Sequence, residues 1–110
     1  MKLSCSGCPN ELHRFWDDVL GTDARVSVSI SAARLLPPVD PTEAAMKDEA
    51  TWIDESFRIA QESVYVDPIA NGTGPFALTN DYKNNAKRVA LARAALAAAR
   101  IANMLNNELK

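Results

Sequence analysis

The stretch from Asp81 to Leu109, "DYKNNAKRVALARAALAAARIANMLNNEL", contains neither glycine nor proline. No other feature constrains the fold as much. About 28 residues of helix at 1.5 Å per residue make a rod roughly 42 Å long. Its alanines favour helix intrinsically and allow neighbouring helices to come close. Thr79 or Asn80 is placed to cap its start. Val89, Leu96, Ile101, Leu105 and the alanines among them make it apolar around much of its circumference, so it has to be surrounded by other helices.

Three shorter helical segments precede it. The first is expected from about Asn10 to Leu20, with Asn10 as N-cap, Leu12, Phe15, Trp16 and Val19 as apolar positions and Gly21 past the end. In "TDARVSVSISAARLLPP", Val26, Val28 and Ile30 alternate with serines as in a half-buried strand. No second strand exists to pair with it, and "AARLL" before Pro37 and Pro38 reads as a helix ending, so the segment is assigned as helix. After the linker "PPVDPTEAA", with Thr42 as cap, Ala45, Trp52, Ile53, Phe57, Ala60 and Val64 recur at helical spacing as far as Tyr65, with a break near Asp48. At that spacing Trp52 and Phe57 read as core. "VDPIANGTGPFALT" is a loop. The expectation is an all-α, compact domain of about four helices over residues 10–110, preceded by a mobile arm at 1–9.

A chain of 110 residues is one domain, and its 47% apolar and 24% charged content is that of an ordinary globular protein. A net charge of −2 gives no bulk attraction to nucleic acid or anionic membrane. No run reaches the roughly 20 apolar residues that span a bilayer. "MKLSCSGCP" does not read as a signal peptide, so as written the chain is expected in the cytoplasm. Cys5 and Cys8 form a C-x-x-C, but no strand precedes it and Pro9 follows. The residues therefore read as incidental thiols rather than a redox motif.

His13 is the only histidine. Asp17 lies four residues on, so imidazole and carboxylate share one helix face. Both are ordinary zinc ligands, yet two ligands are not a site, because zinc takes four, or three and water. On spacing alone the pair is a surface ion pair worth a few tenths of a kcal/mol. Cys5, Cys8, His13 and Asp18 also match a zinc-knuckle spacing, disfavoured because the histidine sits within a helix. Lys83, Lys87, Arg88, Arg93 and Arg100 suggest a phosphate-binding face, but without interleaved aromatic residues they read as a solvated one.

The order of motifs resembles one family. "LHRFWDD" is similar to the N-L-H-x-x-W-D segment of the zinc-dependent, single-strand-specific nucleases of fungi, plants and bacteria. "WIDESFRIAQESVY" is similar to their W-x-x-E-S-x-x-x-A-x-x-x-V-Y segment, and "GPFALTNDY" followed by "LAAARIANMLN" resembles their closing L-A-G-x-R-L-A-x-L-L-N helix. The first 10 residues match nothing in this pattern. The resemblance implies an all-helical fold shared with bacterial zinc phospholipase C. It implies hydrolysis of phosphodiesters in single-stranded DNA and RNA, 3′-nucleotidase activity and a cluster of three zinc ions. In that family the H-x-x-x-D segment gives two ligands to one zinc; matched residue by residue, these are His13 and Asp17.

Two departures qualify the resemblance. Family enzymes are more than twice as long and secreted or periplasmic, and their remaining ligands lie upstream of this segment. With one histidine, this chain does not build the cluster, and no residue of it is assigned a catalytic role. Three readings follow. In the first, the chain is an incomplete nuclease-family domain, inactive alone and forming a homodimer that covers the apolar last helix. In the second, a complementary chain supplies the missing ligands. In the third, the chain is a non-catalytic interaction module in which His13 and Asp17 are incidental.

Overall fold

A computed structural model of the chain describes residues 1–5 and 7–109. It is all-α: α1 (Leu12–Asp17), α2 (Val26–Ala33), α3 (Pro41–Ala45), α4 (Glu49–Ile59) and α5 (Asn80–Glu108), with a π-helical turn at Ala60–Val64 prolonging α4. The break expected near Asp48 separates α3 from α4. Among the described residues, extended pairing is confined to isolated bridges between Lys2 and Glu11 and between Leu3 and Phe76.

Those bridges give the N-terminal segment a different place from the one expected. The Leu3 amide donates to the Asn10 carbonyl at 2.8 Å, and the Leu12 amide donates to the Met1 carbonyl at 2.9 Å. The Ser4 amide donates to Phe76 O, and the Phe76 amide donates to Lys2 O, both at 2.9 Å. Cys5 and Cys8 are joined as a disulfide across the turn, so they are not free thiols. Residues 1–5 thus lie back against residues 10–12, and Leu3 is buried. Asn10 is taken up in this pairing, and α1 starts after Glu11 with no side-chain cap. It ends at Asp17, short of the expected Leu20.

The core gathers Leu3, Leu12, Ile69, Phe76, Leu78 and Tyr82, with Phe15, Trp16, Val64 and Val66 packed against it. Three of the six buried residues, Ile69, Phe76 and Leu78, come from the loop after α4. Gly74 there has φ +76°, and a Cβ on it would lie 2.9 Å from the Phe76 ring. Only glycine accepts both conditions without strain.

The other helix starts follow the local chemistry. Asp40, not Thr42, caps α3 by accepting from the Thr42 amide at 2.8 Å, with Pro41 in the first turn where its missing N–H costs nothing. Asp48 caps α4, accepting from the Ala50 amide and the Thr51 hydroxyl. Thr79 Oγ1 caps α5 by accepting from the Tyr82 amide at 3.1 Å. α3 packs on α5, and Ala44, Ala86, Val89, Ala95 and Leu96 are buried. α2 is helical as expected but buries no residue. The molecule measures 51 × 34 × 18 Å. A helix with its side chains is about 10–12 Å across, so the short dimension is under two helices deep.

The thin shape leaves apolar side chains uncovered. Phe57, expected in the core, is 65% exposed, and Ile53 one turn earlier is 69% exposed. Neighbouring positions on α4 bond to α5 instead, Glu55 to Arg93 and Arg100 and Ser56 to Arg93. No described helix is long and apolar enough to cross a membrane.

Candidate functional site

α1 divides its side chains by periodicity. Leu12, Phe15 and Trp16 lie on one face, and Leu12 is buried while the two rings pack on the core. Trp16 Nε1 donates to the Tyr82 hydroxyl at 3.1 Å, and that hydroxyl donates to the Val64 carbonyl at 2.9 Å. The Phe15, Trp16 and Tyr82 rings sit about 6 Å apart in tilted or edge-on contacts, within the favourable range for aromatic pairs. These bonds fix the rotation of a helix of only 6 residues.

His13 and Asp17 therefore face outward. Their Nε2 and Oδ2 atoms are 3.1 Å apart, and their side chains are 87% and 62% exposed. One nitrogen and one oxygen donor thus stand side by side on an open face. Among the described residues no group of three His, Cys, Asp or Glu could hold a metal ion. Two of the four donors that zinc takes are present, so the described residues do not make a zinc site by themselves.

The zinc-knuckle spacing fails on geometry. Cys5 and Cys8 are spent in the disulfide, and Asp18 is 3.5 Å from Arg14 Nε. Zinc takes cysteine as thiolate, which a disulfide does not supply.

A polar cluster lies between α4 and α5, joining residues far apart in the sequence. Arg100 is buried, and its guanidinium donates to Glu55 through Nη1 at 2.9 Å and Nη2 at 2.8 Å. Its Nε donates to the Glu43 carbonyl at 3.2 Å, and its Cζ lies 5.4 Å from the centre of the Trp52 ring. Arg93 donates to Glu55 Oε1 at 3.1 Å and to Ser56 Oγ at 3.2 Å. The two guanidinium groups hold the Glu55 carboxyl down at about 2, with Arg100 the larger cause. Two of the five basic residues read as a solvated face are thus tied inward, Arg100 completely. The signal was present in the chain: Glu55 is the acid of the W-x-x-E-S segment and Arg100 the base of the closing helix. Two of the segments that carry the family resemblance thus meet in one ion pair, between buried Arg100 and half-buried Glu55.

A cleft of about 550 Å³ opens beside this cluster. Asp40, Glu43, Glu62, Arg58 and Arg93 give its wall both signs of charge. His13 does not line it, so the only histidine and this cleft are separate features.

A family model of the S1/P1 nucleases matches residues 1–110, the whole chain, and the chain belongs to that family. The match extends through the first ten residues, which carry none of the motifs quoted above. No curated protein and no solved structure matches the chain.

Proposed function

We propose that this chain carries one ligand pair of the family's zinc centre, His13 and Asp17, and is inactive alone as a nuclease. The observation that carries this reading is the pair itself. A nitrogen and an oxygen donor lie 3.1 Å apart on the exposed face of the family's H-x-x-x-D helix, and the chain has no second histidine. The Trp16–Tyr82–Val64 hydrogen bonds hold that helix in orientation, so the pair is presented rather than left to rotate. The substrates would be phosphodiesters of single-stranded nucleic acid, once a histidine-bearing partner supplied the remaining donors.

The test combines zinc content with hydrolysis of single-stranded DNA and RNA, for wild type and for His13→Ala. The expected result is no hydrolysis by either protein, and zinc binding that is weak in wild type and lost in the variant. Hydrolysis by the purified chain, abolished in His13→Ala, would overturn the reading.

A second reading, a non-catalytic interaction module, is favoured by the exposed apolar side chains of α4 and α5. It expects that changing His13 and Asp17 together to alanine leaves both stability and partner binding unaltered.

A further inference from the structure

Asn71 is the one asparagine of the chain that precedes a glycine. An asparagine side chain places an electrophile, its amide Cγ, beside the backbone nitrogen of the next residue. Two things ordinarily keep that nitrogen from attacking. A Cβ on the next residue crowds the approach, and a hydrogen bond ties the N–H elsewhere.

Both obstacles are missing here. Gly72 has no Cβ, and even one built on it would meet nothing within 4 Å. Its φ of +85° is a backbone conformation that glycine adopts freely. Among the described residues the Gly72 N–H has no acceptor. Residues 70–75 are all exposed, so water reaches the turn from every side. The other asparagines lack this combination. Asn84, Asn85, Asn103, Asn106 and Asn107 lie inside α5, where the following amide donates to the preceding turn. Asn10 and Asn80 precede Glu11 and Asp81, whose side chains crowd the nitrogen.

We infer that Asn71 is a site of spontaneous covalent modification, with the Gly72 nitrogen as nucleophile and water as the only co-reactant. The Gly72 nitrogen forms a bond to Asn71 Cγ, and the Cγ–Nδ2 bond breaks. The proton from the Gly72 amide leaves with Nδ2 as ammonia, and a cyclic imide remains. Water then opens one of the two imide C–N bonds. Opening at Cγ gives aspartate in an ordinary backbone. Opening at the main-chain carbonyl carbon gives isoaspartate, in which the chain runs through the side-chain Cβ.

The position of the turn gives this change a consequence. Asn71 Nδ2 donates to Asp67 Oδ1, and the Asn71 amide donates to the Pro68 carbonyl at 3.2 Å. Both products replace the Nδ2 donor with a second carboxylate opposite Asp67, so an attractive contact becomes a repulsive one. Isoaspartate also lengthens the backbone between Ile69 and Phe76, which are both buried. Phe76 in turn exchanges hydrogen bonds with Lys2 and Ser4 of the N-terminal segment. Modification at an exposed turn therefore loosens one end of the core. No atom of α1 takes part, so the change is independent of the zinc reading.

Prolonged incubation of the purified chain at mildly alkaline pH, followed by tryptic mass mapping, tests the inference. A synthetic peptide of residues 66–76 gives the rate without the fold. Acid is expected at Asn71, and not at Asn80 of the same tryptic peptide. It should form at a rate within about tenfold of the free peptide's, because an exposed turn without amide bonds opens at little cost. Asn71→Gln, whose longer side chain closes the ring poorly, should stay unmodified over the same period. The modified fraction, separated by its added negative charge, should melt at a lower temperature than the unmodified one. An intact Asn71 after the peptide has converted would overturn the site, and equal melting temperatures would overturn its effect on the core.

Discussion

At the scale of the residue, Glu55 decides more than the histidine that first attracts attention. Its side chain is 22% exposed and holds two arginines, one of them buried. Its carboxyl is depressed from 4.5 to about 2. A depressed acid contributes stability in full above the unfolded value of 4.5, and loses it as pH falls from there through about 2. The full difference corresponds to about 3 kcal/mol. Denaturant titrations of wild type should therefore show stability falling below pH 4.5, while Glu55→Gln is less stable at neutral pH and flatter across that window. The expected loss at pH 7 is about 3 kcal/mol, because Arg100 would be left buried without its counter-charge. Equal midpoints for the two proteins at neutral pH would contradict this. The His13–Asp17 spacing could be read directly from the sequence, since i and i+4 are fixed neighbours on any helix. The partnership of Glu55 with Arg100 could not, because 45 residues and a loop separate them.

At the scale of the element, caps and breakers were legible and tertiary pairing was not. Thr79 was placed to cap α5, and its hydroxyl does so. Thr79→Ala should lower stability by about 1 kcal/mol, measured as a shift of the urea midpoint without a change of slope. The α3 cap went to Asp40 because Pro41 behind it suits a first turn, a local preference that outweighs Thr42. Asn10 lost the α1 cap for a non-local reason: its carbonyl accepts the Leu3 amide, and the N-terminal segment folds back to make that bond. The π-helical turn at the end of α4 has no local signature in the sequence. The loop beyond it was recognised by its glycines and prolines, but not as the source of Ile69, Phe76 and Leu78 for the core. Gly74→Ala tests that role. The added methyl meets the Phe76 ring in a backbone conformation that alanine resists, so a loss of more than about 1 kcal/mol is expected. An unchanged thermal midpoint would show that this turn does not hold Phe76 in place.

At the scale of the whole molecule, helical class follows from α5 and from the lack of strands able to pair. The flat shape does not follow from either. Side chains such as Phe57 and Ile53 have helical spacing that marks a buried face, and nothing in the described residues covers them. Periodicity says that a face is apolar, not whose surface completes it. The N-terminal turn adds a further test. The disulfide closes a loop of separation 3, for which loop closure gives about 2 kcal/mol. Replacing both cysteines by serine should lower stability by about that amount without altering helical content.

A chain with one zinc-ligand pair and no working centre binds zinc weakly. Zinc per chain, measured at equilibrium in protein of known solution mass, distinguishes it from a complete site. The expected result is well below one tightly held zinc per chain, with residual binding removed by His13→Ala. One firmly bound zinc per chain, retained in His13→Ala, would contradict it.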